Sequence, residues 1–351
     1  MMRKDENTID LFPVDVKPIC KIPHLVSGFR REMRVQWLTR ESDFIMSLPR
    51  IDDGWQYCPG NLADLQIGLP SCHECQSAGL FLGGDTVCRL RDMPPIVYRN
   101  VHDFALATRR WLLDPDRATL GIGVQSSDSL FAEAVTGHVR RIVPLFASAK
   151  TNPHGCSLLL STKASRASWL EGLPTENVVV SFTLCPDTVS QRYEGSSNHP
   201  DRMVPEITNR LKAALATAEM GFEVRWYLHP AVPVPGWRRV YRRFFRAAET
   251  EGHHPARITL SMYHAAPDCG PDYQFNQPPT PWVLDAHYAG PPDSCFHYVL
   301  SSQDRAETYV ALKRMIRKTW SRHRQQPIVG LCREPRKVRE ATGLNGHCRC
   351  E

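Results

Sequence analysis

From about residue 100 to residue 262, short apolar runs rich in β-branched residues alternate with longer segments of helical periodicity. TLGIGV (119–124) precedes DSLFAEAVTGHVRRIVPLFASA (128–149), and CSLLLST (156–162) precedes a polar turn and ASWLEG. NVVVSFTL (177–184) precedes a polar loop and a helical stripe from about Pro205 to Met220. Ile207, Leu211, Leu215 and Ala218 share one face of that stripe, and Gly221 marks its stop. FEVRWYL (222–228), a helix from about Trp237 to Glu249, and ARITLSM (256–262) complete the series. Repeated strand–helix–strand units with strands apolar throughout predict parallel strands buried on both faces. The predicted fold is therefore a complete or partial (β/α) barrel or a doubly wound sheet.

In such a fold, reactive groups stand at the carboxyl ends of the strands. The residues there are Gln125, Ser126, Ser127 and Asp128, then Thr162 and Lys163, then Ser181 and Thr183, then His229. All are polar, as a solvated loop would also be. Beyond 262 the pattern gives way to a Pro-rich stretch, then a strand-like CFHYVL (295–300) and a helix from Asp304 to about Arg322. Residues 324–351 are basic and poor in apolar side chains.

Length, charge and cysteine usage narrow the class. A chain of 351 residues with 42% hydrophobic content buries a full core. The net charge of +6 is modest, and its basic residues are spread along the chain, so charge alone argues only weakly for nucleic acid, and DNA is not the expected partner. The charged N-terminus has no apolar run behind it, and no run approaches the roughly 20 residues that cross a bilayer, so a cytoplasmic protein without membrane contact is expected. In that compartment the 12 cysteines read as metal ligands or buried small hydrophobes rather than disulfides. Cys72 and Cys75 form a C-x-x-C pair, with Cys58 upstream in a C-x13-C-x2-C spacing. No second C-x-x-C or H-x3-5-H stands at a usual zinc spacing, which favours a three-cysteine cluster over zinc.

The stretch from about Cys72 to Trp320 resembles the spore photoproduct lyase branch of the radical S-adenosylmethionine (SAM) superfamily. The resemblance is carried by GVQSSDSL, LLLSTKASRASWLEG, VVVSFTL, EITNRLKAALATAEMGFEVRWYLHPAVPVPGWRRVYRRFF and ITLSMYH. It implies an α/β fold: a partial (β/α) barrel of the radical SAM type, with an N-terminal extension and a cysteine-containing C-terminal tail. The corresponding division is an extension over 1–57, a barrel core over 58–265, a barrel-closing segment over 266–323 and a tail over 324–351.

In the family a C-x3-C-x2-C loop holds a 4Fe-4S cluster whose free iron binds SAM. Cys72 and Cys75 match the second and third cysteines. The first would fall at Gly68, so Cys58, reached through an insertion, is the candidate for the third ligand. By the same resemblance Ser127, Lys163 and Ser181 contact SAM, a role that a lysine ammonium and serine hydroxyls can fill chemically. Gln125 and His229, at strand ends, are the candidate catalytic residues.

The implied activity is reductive cleavage of SAM to a 5'-deoxyadenosyl radical that abstracts hydrogen from a substrate. A nucleoside or sugar-like small molecule is expected, with flavodoxin or ferredoxin as the electron donor. Cys332, Cys348 and Cys350, with His347, are candidates for a second iron–sulfur cluster. By analogy with biotin and lipoyl synthases, that cluster would donate sulfur. The alternative for the tail is a basic disordered segment with incidental thiols. Two other readings stand beside this one: a DNA photoproduct lyase and a zinc-stabilised binding protein without catalysis. For the lyase, the best DNA-binding candidate is GWRRVYRRFFR, where Arg238, Arg239, Arg242, Arg243 and Arg246 lie opposite Val240, Tyr241, Phe244 and Phe245. An outer barrel helix carries such a charged face for solvent alone.

Overall fold

The computed structural model describes residues 20–22, 33–40, 43–48, 51–52, 57–58, 62–69, 96–124, 128–130, 133–193, 205–262, 287–288, 297–298, 300–332 and 334–344. Its centre is an eight-stranded sheet whose strands are β1 (Ile45–Leu48), β2 (Leu62–Leu65), β3 (Thr119–Ile122), β4 (Ser157–Thr162), β5 (Val178–Leu184), β6 (Glu223–Ala231), β7 (Arg257–Met262) and β8 (Ile328–Leu331). Each strand lies beside its neighbour in sequence. β2 to β8 are all parallel, and β1 caps the β2 edge in the antiparallel sense. Helices return the chain between them: α1 (Val101–Leu112), α2 (His138–Ala147), α3 (Ile207–Glu219), α4 (Trp237–Thr250) and α5 (Ser302–Thr319), with α6 (Arg336–Thr342) after β8. This is the predicted partial (β/α) barrel.

The predicted helix over 128–149 is divided. A short turn, Glu133–Thr136, precedes α2, and Gly137 between them takes a left-handed φ of 61°. Gly221 acts as the stop read for α3: it has φ 93°, and its N–H donates to the Ala218 carbonyl.

The parallel strands are not apolar on both faces. Leu158, Leu160, Val178, Val180, Phe182, Leu184, Trp226, Leu228, Ile258 and Leu260 join the main core with the helices. The alternate positions form the inner face, because side chains in a strand point to opposite sides with period two. Low on that face Leu62, Val124, Leu159 and Val179 make a separate apolar floor. Above the floor the inner row is polar, and the helix-facing row alone supplies the continuous hydrophobic signal.

Residues 324–344 are not a tail. β8 adds to β7 through the pairs Arg257/Ile328 to Leu260/Leu331. A buried network then holds this segment to α5: Arg305 Nε donates to Glu334 Oε2 at 2.9 Å, and the Tyr309 hydroxyl donates to Glu334 Oε1 at 2.6 Å. The same Tyr309 oxygen accepts the Met262 N–H at the end of β7 (2.8 Å). Burial raises the proton affinity of Glu334 against the opposing Arg305 charge, and burial together with Glu334 raises that of the Tyr309 phenol well above its ordinary value. An aromatic cluster of Trp226, Phe244, Phe245 and Trp320, with ring centroids 5.5–6.0 Å apart, seals α4 and α5 onto β6.

A second sheet comprises Cys20–Ile22, Met33–Leu38, Ile96–Tyr98 and Gly68–Leu69. Gly68 pairs with Val97 and Leu69 with Ile96. The chain between them, 70–95, therefore leaves and re-enters the fold at one place, directly after β2.

Candidate active site at the carboxyl ends of the parallel strands

Ladder register assembles the site from side chains far apart in sequence. Ser161 on β4 stands beside Ser181 on β5. One level higher, Thr183 on β5, Tyr227 on β6 and Thr259 on β7 are neighbours. Two residues further along their strands come His229 and Ser261. These seven residues are 1–5% exposed. A closed barrel interior is ordinarily layered with branched apolar side chains. Here that holds only for the floor, and the space above it is lined with hydroxyls, a phenol and an imidazole. The Tyr227 and His229 rings stack at 5.2 Å with 11° between their planes, fixing the imidazole face.

The turn after β3 is clamped onto the end of β4 by one carboxylate. Asp128 Oδ1 accepts the Leu130 N–H (2.9 Å) and the Thr162 hydroxyl (2.7 Å), and Oδ2 accepts the Lys163 N–H (2.6 Å). The Thr162 oxygen in turn accepts the Ala164 N–H at 2.9 Å, and the Ser129 N–H donates to the Ser161 carbonyl at 2.9 Å. Burial raises the proton affinity of Asp128; the three hydrogen bonds and the Lys163 ammonium act in the opposite direction. Lys163, one residue past β4, is 1% exposed. Such a buried cation needs a nearby anion, and Asp128 supplies one.

His138 backs the same turn. Its Nε2 donates to the Ser129 carbonyl at 2.8 Å, its Nδ1 lies 2.5 Å from the Thr136 hydroxyl, and Glu133 is beside it. Burial holds this imidazole below its usual proton affinity, so it is neutral near pH 7.

Gly123 makes the close approach possible. It has φ 73°, and a Cβ there would fall 2.5 Å from both the Ser129 nitrogen and the Ser161 carbonyl oxygen. Gly123→Ala is expected to cost about 2 kcal/mol or more in urea unfolding, combining left-handed strain with a backbone clash. Gly172→Ala is the control. It has the same sign of φ, 72°, but nothing within 4 Å of the added carbon, so it carries the strain alone.

Of the residues expected from sequence, Lys163, Ser181 and His229 come together at the barrel mouth. Cys332 follows β8, its N–H bonded to the Leu260 carbonyl at 3.0 Å, and so also stands at the strand ends. Cys58 lies in a two-stranded hairpin, paired with Ile51. Gly68, where the short family spacing would put the first cysteine, is a ladder residue instead. Cys72, Cys75, Cys348, Cys350, Gln125 and Ser127 lie outside the described residues. Among the described residues, no group of three or more His, Cys, Asp or Glu side chains is arranged to hold a metal, and no helix is long and apolar enough to cross a membrane.

Sequence reading did not find Tyr227, Thr259 and Ser261, nor the clamping role of Asp128. The signal for the first three was present as alternation: polar Arg225, Tyr227 and His229 on β6, and Arg257, Thr259 and Ser261 on β7.

The donor set fits a zwitterionic, ribose-bearing ligand. A buried ammonium suits a carboxylate, clustered hydroxyls suit sugar oxygens, and the Ser129 Oγ is buried without a hydrogen-bond partner among the described residues.

No protein-family model matches the sequence, and no curated protein matches it. Solved structures do. A double mutant of spore photoproduct lyase with bound AdoMet and dinucleoside spore photoproduct matches with a TM-score of 0.61 at 16% identity, over 85% of this chain and 80% of that one. Spore photoproduct lyase complexed with dinucleoside spore photoproduct matches with a TM-score of 0.60 at 16% identity, over 85% and 81%. At this identity the likeness is one of fold: the chain has the partial (β/α) barrel architecture of spore photoproduct lyase.

Proposed function

We propose that this chain is a radical SAM enzyme acting on a nucleoside-type or sugar-like substrate. The observation that supports the reading is the polar, buried strand-end site of Ser181, Thr183, Tyr227 and His229, in a barrel whose first parallel strand, β2, precedes Cys72 and Cys75 in sequence. Leu69 and Ile96, which flank residues 70–95, pair with each other just past the carboxyl end of β2. Cys58, Cys72 and Cys75 would hold a 4Fe-4S cluster. When bound, the cluster and SAM supply one-electron cleavage of the sulfonium to methionine and a 5'-deoxyadenosyl radical.

This chain's own residues bind and orient. Lys163 would neutralise the SAM carboxylate, with Asp128 holding the lysine backbone and the turn in place. Ser181 and Thr183 would bond hydroxyl or carboxylate oxygens, and the stacked Tyr227 and His229 would wall the substrate side and exclude water. The strands deliver these groups on rigid backbone, which suits a reaction whose reactive species must be kept from solvent.

A second reading, cleavage of a pyrimidine photoproduct in DNA, is favoured by a specific observation. Solved structures sharing this fold include complexes with dinucleoside spore photoproduct. Sulfur insertion from an auxiliary cluster rests on Cys332 at the mouth together with Cys348 and Cys350.

Anaerobic purification tests the assignment. About four irons per chain are expected with one cluster, and about eight with an auxiliary one. Replacing Cys58, Cys72 and Cys75 together should abolish formation of 5'-deoxyadenosine. Unchanged turnover in the triple variant, or stoichiometric zinc in place of iron, rules the proposal out.

A further inference from the structure

The five arginines of α4 do not act as one face. Arg238, Arg242 and Arg246, at i, i+4 and i+8, turn toward α5 and line a groove of about 1020 Å³ between the two helices. Its opposite wall carries Arg314 and Lys318, one turn apart on α5, and Arg322 in the turn that follows the helix. Arg239 and Arg243 do not line it. Two cationic stripes on neighbouring helices thus face one cleft, with only Glu249 and Glu307 as anionic neighbours. Glu249 is already engaged, 2.9 Å from the His323 ring, and Glu307 accepts a bond from Gln303. All six cations are exposed, and none makes a salt bridge with a described residue.

Packing does not require this arrangement. The adjoining face of α4, about a quarter turn away, already buries Tyr241, Phe245 and Ala248 against the barrel, and like charges lining one cleft repel each other. An unneutralised pair of stripes selects for a polyanion. Five of the six cations are arginines, whose forked N–H groups bond two oxygens of one phosphate. The guanidinium of Arg238 stacks over the Trp237 ring at 4.6 Å, which holds its plane at the mouth-side end of the groove. The floor of Val310, Ala311 and Met315 offers no aromatic platform for bases.

We propose that this groove binds the phosphodiester backbone of a nucleic acid, without base readout, at a site separate from the barrel mouth. From Arg238 to Arg246 the α4 stripe spans about 12 Å, the axial length of roughly three to four phosphates of one strand. An acidic electron-donor protein is a poorer occupant. β6 and β7, which carry this wall, lie four or more strands along the sheet from β2, the strand that precedes Cys72 and Cys75 in sequence, on the order of 20 Å at sheet spacing. That separation is long for electron delivery. The inference does not rest on the radical reading.

The test is fluorescence anisotropy with the full chain and a labelled oligonucleotide of about 12 residues, single-stranded in one arm and duplex in the other. Affinity should fall roughly hundredfold between 50 and 200 mM salt. The double variant Arg242→Glu/Arg314→Glu should weaken binding at least tenfold and flatten the log–log salt slope by about 1.5 or more. The control Arg239→Glu/Arg243→Glu, with the same charge change placed on α4 outside the groove, should stay within about threefold of wild type. Equal losses in both variants overturn the proposal. So does an absence of salt-dependent oligonucleotide binding, which would give the groove to an acidic protein surface. No turnover is measured, so this result and the deoxyadenosine assay can fail independently.

Discussion

Asp128→Ala is expected to lower the unfolding free energy by about 3–5 kcal/mol, read as a fall in urea midpoint at constant m-value. The carboxylate is the common acceptor for two backbone N–H groups and one hydroxyl, all buried. Each donor left without an acceptor costs about 1–3 kcal/mol, and the buried Lys163 ammonium loses its neighbouring negative charge. Asp128→Asn separates these contributions. Its amide oxygen still accepts at one position while the charge is gone, so it should recover part of the loss. The chain segment most disturbed is the turn that contains Ser129 and Leu130 and packs on the end of β4. Full stability in Asp128→Ala would mean that the turn is held by something other than this clamp.

Lys163→Met separates binding from folding. Methionine has a similar length and no charge, and replacing a buried cation with an apolar chain removes a desolvation cost while leaving Asp128 without its counter-charge. These effects oppose each other, so the unfolding free energy should change by about 1 kcal/mol or less. SAM affinity, measured anaerobically by equilibrium dialysis on the iron-loaded protein, should fall 10- to 100-fold. That is the loss of one charge-assisted bond, about 1.5–3 kcal/mol. A stable variant that binds SAM as well as wild type would remove Lys163 from the site.

Much of the architecture was legible in the spacing of apolar runs. β3 to β7 fall within two or three residues of where the sequence puts them, because each is a short β-branched run bounded by polar or glycine signals. β2 and β8 were not found. LADL is interrupted by a buried aspartate, Asp64, and IVGL is a short apolar run set in an arginine-rich stretch outside the strand–helix alternation that marked the others. Both become strands because a parallel sheet already exists for them to join: tertiary pairing overrides weak local preference.

The site was half visible for a related reason. Residues at strand ends, such as Lys163 and Ser181, can be located once strands are placed. The inner row, Tyr227, Thr259 and Ser261, needed the finer period-two pattern inside strands that otherwise read as uniformly apolar. The clamp formed by Asp128 depends on a close approach between two turns that no spacing rule encodes; Gly123 was its only trace. The α4–α5 groove shows a different limit. Its α4 stripe was plain in the sequence, and its meaning changed only when the fold set a second stripe opposite it.

The strict correspondence between sheet position and chain position has a consequence for biogenesis. Since every strand from β1 to β8 docks against the one made just before it, the sheet can grow by single strand–helix additions as the polypeptide emerges from the ribosome, without waiting for a distant partner. The exception is the final step. β8 is made only after 65 residues that follow β7, so until β8 and the Arg305–Tyr309–Glu334 network that secures it have emerged, β7 remains an exposed, apolar edge competent to pair with a neighbouring nascent chain. Docking of β8, rather than formation of the barrel core, would be the moment at which that aggregation hazard ends.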